Sequence, residues 1–155
     1  MKKLFLSCLF LLVGIFILNG CSLDTYFLIQ LTKSKISVSE AMKVKGQMDI
    51  TVNPAKRSEY LADLRKKMIS VSDTLVKRVT VSTNIDYEFC VIIESEYEKG
   101  IIECYVYTKD KAVVAELEAG ITRISCKGDF SKFFTSVEDS YQKIELTNSD
   151  ISIIK

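Results

Sequence analysis

Between Tyr87 and Thr108 two runs, separated by Glu98-Lys99-Gly100, each carry an apolar residue at every second position along one face. A helix cannot use such a pattern, because its apolar face recurs every three or four residues; two alternating runs around a short glycine-containing break make a β-hairpin. Phe89, Val91 and Ile93 form the apolar face of its first strand, and Ile102, Cys104 and Val106 that of the second. Matching core to core pairs Val91 with Cys104 and Ile93 with Ile102. Cys90 then points away from the core and Cys104 toward it. A Cys90–Cys104 bridge would need a one-residue slip that exposes the whole apolar set.

The remaining segments are read by the same rule. Residues 35 to 52 alternate around Ile36/Val38 and Met48/Ile50/Val52, a half-buried strand pattern. Asn53-Pro54 then supplies an N-cap and a proline at the first helical position. The helix that follows is expected to bury Tyr60, Leu61, Leu64 and Met68 and to pair Asp63 with Lys67 one turn apart. Residues 74 to 84 alternate again, through Leu75, Val79 and Val81. Residues 112 to 119 fit either a strand or a short helix closed by Gly120. From Asp129 to Tyr141 the spacing of Phe130, Phe133, Phe134, Val137 and Tyr141 predicts a helix, and Ile151 to Ile154 a final strand. The expected fold is α+β: a single antiparallel sheet of five or six strands with two packed helices, over residues 35–155.

Composition narrows the chemistry. The 155-residue chain contains no histidine, which removes imidazole-activated nucleophiles and histidine-ligated metals. Glu94, Glu96 and Glu98, with Glu88 and Glu103 nearby, crowd the hairpin end, but no loop with calcium-ligand spacing accompanies them, and a solvated acidic tip is the better reading. Ser140-Tyr141-Gln142-Lys143 has the Ser-x-x-Lys spacing of penicillin-binding enzymes without their companion motifs. No metal, cofactor or catalytic residue is expected, and the chain is read as a non-enzyme.

The first twenty residues contain 14 apolar ones, with Lys2 and Lys3 near the start, and lead into Leu18-Asn19-Gly20-Cys21. A short cationic start, an apolar run and a small residue before the cut describe a secretory signal peptide. Leu18 to Cys21 resembles the lipobox of bacterial lipoproteins. That resemblance implies cleavage between Gly20 and Cys21, attachment of diacylglycerol to the Cys21 thiol and often acylation of the new amino group. Acyl chains in that number hold a protein on a membrane. By the same resemblance, Ser22 directs the chain to the outer membrane of a Gram-negative cell envelope, with residues 1–20 as signal and 21–34 as lipidated tether.

Without its signal the chain carries 19 basic and 20 acidic side chains, a balance that argues against nucleic acid as partner. Residues 33–78 hold 11 basic against 5 acidic side chains, and residues 86–150 hold 7 against 14. The domain is therefore two-faced in charge, or folding brings the halves together. Lys56, Arg57, Arg65, Lys66 and Lys67 offer a membrane or partner surface, or simply a solvated helix face. Cys90, Cys104 and Cys126 remain for an oxidising compartment; Cys104–Cys126 is the bridge expected if one forms, with buried free thiols the alternative. The function expected on these grounds is a membrane-anchored envelope lipoprotein acting as a binding or assembly module, with an envelope protein as partner. The competing expectations are a small envelope enzyme using carboxylates or the Cys90 thiol, and a surface or exclusion lipoprotein of a mobile element.

Overall fold

A computed structural model describes residues 33–135 and 142–154. The elements run β1 (Lys35–Ser37), α1 (Val38–Ile50), α2 (Pro54–Arg65), β2 (Met68–Val81), β3 (Phe89–Tyr97), β4 (Gly100–Thr108), α3 (Lys111–Ala115), β5 (Arg123–Thr135) and β6 (Gln142–Ile153). Strand β2 pairs antiparallel with β3, β3 with β4 and β5 with β6, while β4 and β6 run parallel. The first half of β2 also pairs antiparallel with β5, from Met68↔Asp129 to Leu75↔Arg123. That last ladder joins the two ends of the sheet, so β2-β3-β4-β6-β5 closes into a five-stranded barrel, with β1 parallel to the start of β2. Closure leaves only short edges to protect.

This corrects the expected α+β sheet with two packed helices. The reason lies in residues whose spacing imitates a helix. Strand β5 is irregular between Phe130 and Lys132. An extra residue in one strand shifts the alternation by one. Phe130 and Phe133 therefore both pack on the core, three residues apart, and Phe134 turns out to solvent. The helix expected from Asp129 is thus a bulged strand as far as Thr135; Val137 and Tyr141 lie outside the described residues. A similar irregularity between Val76 and Arg78 buries Val76 and turns Val79 toward the core, leaving Leu75 and Val81 exposed.

The opposite error occurs at residues 38–50, expected as strand and folded as α1. Ser37 and Glu40 form a reciprocal capping box: the Ser37 hydroxyl accepts from the Glu40 N–H at 3.2 Å, and the Glu40 carboxylate accepts from the Ser37 N–H at 2.7 Å. Val38, Ala41 and Met42 are the buried face, with Val44 and Met48 packed beside them. Helix α2 starts as expected, with Asn53 accepting from the Ala55 N–H at 2.9 Å and Pro54 opening the first turn. Its buried face is narrower than predicted: Leu64 is sealed, Tyr60 and Leu61 are half-buried, and Met68 belongs to β2. Residues 111–115 take the helical alternative.

The hairpin forms with the predicted faces but a different register. Val91 pairs with Val106, Ile93 with Cys104 and Ser95 with Ile102. A two-residue shift keeps every side chain on its own face, so alternation could not distinguish the registers. The turn decides: Tyr97 pairs with Gly100, which leaves Glu98-Lys99 as the loop and puts Gly100 at φ 143°. Inside the barrel Val91, Ile93, Cys104, Val106, Ile124, Ile144 and Leu146 are closed to solvent.

Candidate nucleic-acid interface

Residues of opposite parity to the core point outward, and on β3 and β4 that outer face is not polar. Cys90, Ile92 and Tyr107 form a second apolar cluster there, nearly closed to solvent, with Tyr87 and Tyr105 packed at its sides. The strand registers set out the neighbours row by row. One row runs Arg78 on β2, Ile92 on β3, Tyr105 on β4, Glu145 on β6 and Lys132 on β5. The next runs Glu94, Glu103, Lys143 and Phe134.

Lys143 is the centre of this face. Its Nζ lies 4.2 Å from the centroid of the Tyr105 ring and 5.2 Å from that of Phe134, and 2.9 Å from a Glu145 carboxylate oxygen. Ring faces carry negative quadrupole charge, so an ammonium group between two of them is favourably placed. Burial works against the charge of Lys143, but the Glu145 carboxylate outweighs it and holds the Lys143 pKa above the ordinary lysine value. Glu145 is only 5% exposed and also meets Lys132 at 3.4 Å, so one buried carboxylate serves two lysines. At the far end Lys109 stands 5.4 Å over the Tyr87 ring, which is 5.9 Å from that of Tyr107. Burial raises the Tyr107 pKa, and a hydrogen bond with Thr83 partly opposes this.

The residues singled out from sequence are distributed elsewhere. Glu94 and Glu103 flank Lys77, whose pKa they raise through hydrogen bonds, and Glu98 pairs with Lys43 at 2.7 Å. These contacts join the basic first half to the acidic second, so folding mixes the two charge blocks. No cluster of metal-ligating side chains occurs among the described residues. Lys143 is in strand β6, and Ser140 and Tyr141 lie outside the described residues, as do Gly20, Cys21 and the whole signal and tether. Lys56, Arg57 and Arg65 lie on α2, with Lys66 and Lys67 just after it. Arg57 donates to the carbonyls of Thr51 and Asp49, and Lys67 pairs with Asp63 at 2.6 Å as expected.

Cys104 and Cys126 both face the barrel interior as free thiols, and Cys90 is a free thiol of the outer cluster. Burial pushes the Cys90 and Cys126 thiols up to about 12. An inert thiol of this kind is a poor nucleophile.

Sequence reasoning missed Tyr105, Lys143 and Phe134 as a group. A signal existed for part of it: Tyr105 and Tyr107 occupy the outward parity of β4, where a solvated strand would carry polar residues. Phe134 was hidden by the bulge, and Lys143 by its place in a spurious motif.

No family model and no curated protein matches the chain. Among solved structures it is similar to the mitochondrial single-stranded DNA-binding protein Rim1 of S. cerevisiae, at 15% identity and TM-score 0.37 over 57% of this chain and 95% of that one. It is also similar to the OB domain of a Methanosarcina mazei protein, at 14% identity and TM-score 0.33 over 57% of this chain and 72% of that one. Scores this low identify no relative, and the strand order of the barrel stands on its own. A closed five-stranded barrel with this strand order is OB-like, and OB barrels bind oligonucleotides and oligosaccharides on the outer face of neighbouring strands. Two expectations are corrected accordingly. Net charge does not exclude nucleic acid, because the barrel gathers Arg78, Lys109, Lys132 and Lys143 with aromatic rings on one face. The expected function as a lipoprotein binding or assembly module with an envelope-protein partner is corrected too, since the outer face of this OB-like barrel carries aromatic rings and cations; the signal and Cys21, on which the expected anchor rests, lie outside the described residues.

Proposed function

We propose that the barrel binds single-stranded nucleic acid across the outer face of β3, β4, β6 and β5, with Arg78 of β2 at its edge. Tyr105 and Phe134 supply surfaces on which bases stack, and Lys143, Lys132, Arg78 and Lys109 supply phosphate contacts. The observation that carries the reading is the Lys143 ammonium held between two aromatic rings, one of them exposed, on the outside of the barrel. Sequence-independent recognition of single strands combines such stacking surfaces with cations that follow the backbone. Lys143 can exchange the Glu145 carboxylate for a phosphate without losing its neighbour rings.

The test is fluorescence anisotropy with labelled oligo-dT and oligo-rU of about 15 nucleotides, enough to span one barrel's site. Binding should weaken linearly with the logarithm of salt concentration. Tyr105→Ala and Phe134→Ala should each weaken it by about tenfold, within the range of one lost base stack. Absence of binding at low salt, equal affinity for duplex DNA, or competition by neutral oligosaccharides instead of oligonucleotides would overturn the assignment.

A further inference from the structure

We propose that Asn148 is a positioning residue for the β2–β3 loop, holding Tyr87 and the adjoining end of the aromatic face in ligand-ready geometry; this rests on the reading of that face as a nucleic-acid site. Asn148 lies within β6 yet has φ 48°, a left-handed conformation that asparagine tolerates better than most residues. The Tyr87 hydroxyl donates to Asn148 Oδ1 at 2.6 Å and accepts from the Asn148 N–H at 3.1 Å. Asn148 Nδ2 in turn donates to Asp129 Oδ2 at 3.1 Å, and Asp129 is itself buried on β5. One residue thus ties the loop to two strands of the barrel.

Thr83 makes a second tie, a hydrogen bond with Tyr107 on β4, and the loop's remaining bonds are its own. The Ser82 N–H donates to the Glu88 carbonyl, the Asn84 N–H to Ser82 Oγ, the Asp86 N–H to Asn84 Oδ1 and the Tyr87 N–H to the Asn84 carbonyl. These remaining bonds fix the loop's internal shape, while its place against the barrel is set by Asn148 at the Tyr87 end and by Tyr107 at Thr83. That place decides where the Tyr87 ring stands relative to Tyr107 and Lys109, and where Ile85 at the loop tip, almost wholly exposed, is presented. Fixing such a loop before the ligand arrives spares the ordering cost of binding.

Two variants separate the tie from the ring. Tyr87→Phe retains the ring and its neighbours but removes the hydroxyl; Asn148→Gly retains access to the left-handed backbone but removes the side-chain bonds. In the free protein, amide hydrogen exchange over residues 82–88 should accelerate about tenfold in both variants, in line with losing one or two hydrogen bonds, while β3 and β4 exchange as before. Affinity for oligo-dT should fall about fivefold at an unchanged salt slope, because the same phosphates are contacted by a less ordered site. Unchanged loop exchange in both variants overturns the proposal, as does a uniform rise over the whole barrel. A wild-type protein that binds no oligonucleotide overturns the site reading instead, and the exchange arm then decides by itself whether Asn148 positions the loop.

Discussion

The three thiols behave as apolar core atoms. Burial raises the Cys90 and Cys126 pKa values to about 12 and moves Cys104 in the same direction, with the Glu145 charge adding to the effect at Cys90. Native protein without reductant should therefore resist a thiol reagent at pH 8, and denatured protein should release three reactive thiols from the barrel domain; recovery of only one would mean that a Cys104–Cys126 bridge had formed. The linkage has a definite sign. Above the ordinary thiol pKa of about 8.5 the unfolded chain loses these protons while the folded one keeps them, so stability should decline as pH rises from there toward 12. Thermal melts of wild type and Cys90→Ala across that window check it, the variant showing the shallower decline.

Helix α1 shows how a local contact can outvote a pattern. Ser37 and Glu40 satisfy each other's backbone donors at its start, and Ser37→Ala should cost about 1 kcal/mol, as cap removals typically do. Urea melts measure this, and an unchanged midpoint would mean that packing of Ala41 and Met42 alone sets the helix. The sequence of α1 supports a Ser-x-x-Glu reading as well as an alternation, and only the former has a physical cause in the structure. The faces of the hairpin, though not its register, and the α2 cap were legible because each depends on residues close in the chain. The bulges at Val76 and Phe130 were not, since an inserted residue converts period two into a spacing of three. Nor was the outer aromatic face, which brings Tyr105, Phe134 and Lys143 together from three strands whose pairing no local spacing encodes.

At the level of the whole molecule, the near-neutral sum of charges conceals a surface on which cations are held in check by one buried acid. Glu145→Gln would leave Lys132 and Lys143 uncompensated. Under the proposed function, oligonucleotide affinity should rise because the two lysines no longer give up a carboxylate to meet phosphate, while the salt slope, which counts phosphates contacted, should stay near the wild-type value. Salt titrations of both proteins by anisotropy decide this; weaker binding with a shallower slope in a folded variant would mean that Glu145 orients the lysines for phosphate instead of competing with it. The ladder between β2 and β5 carries a different consequence. Met68 meets Asp129 across 61 steps of chain, so the seam of the barrel joins its first strand to one made much later. Assembly of such distant partners is slow, on the order of milliseconds to seconds, and until β5 arrives β2 must wait with an unsatisfied edge. While that edge is open the chain offers another copy of itself a strand to pair with, so slow closure of the barrel is a source of aggregation that the finished barrel does not show.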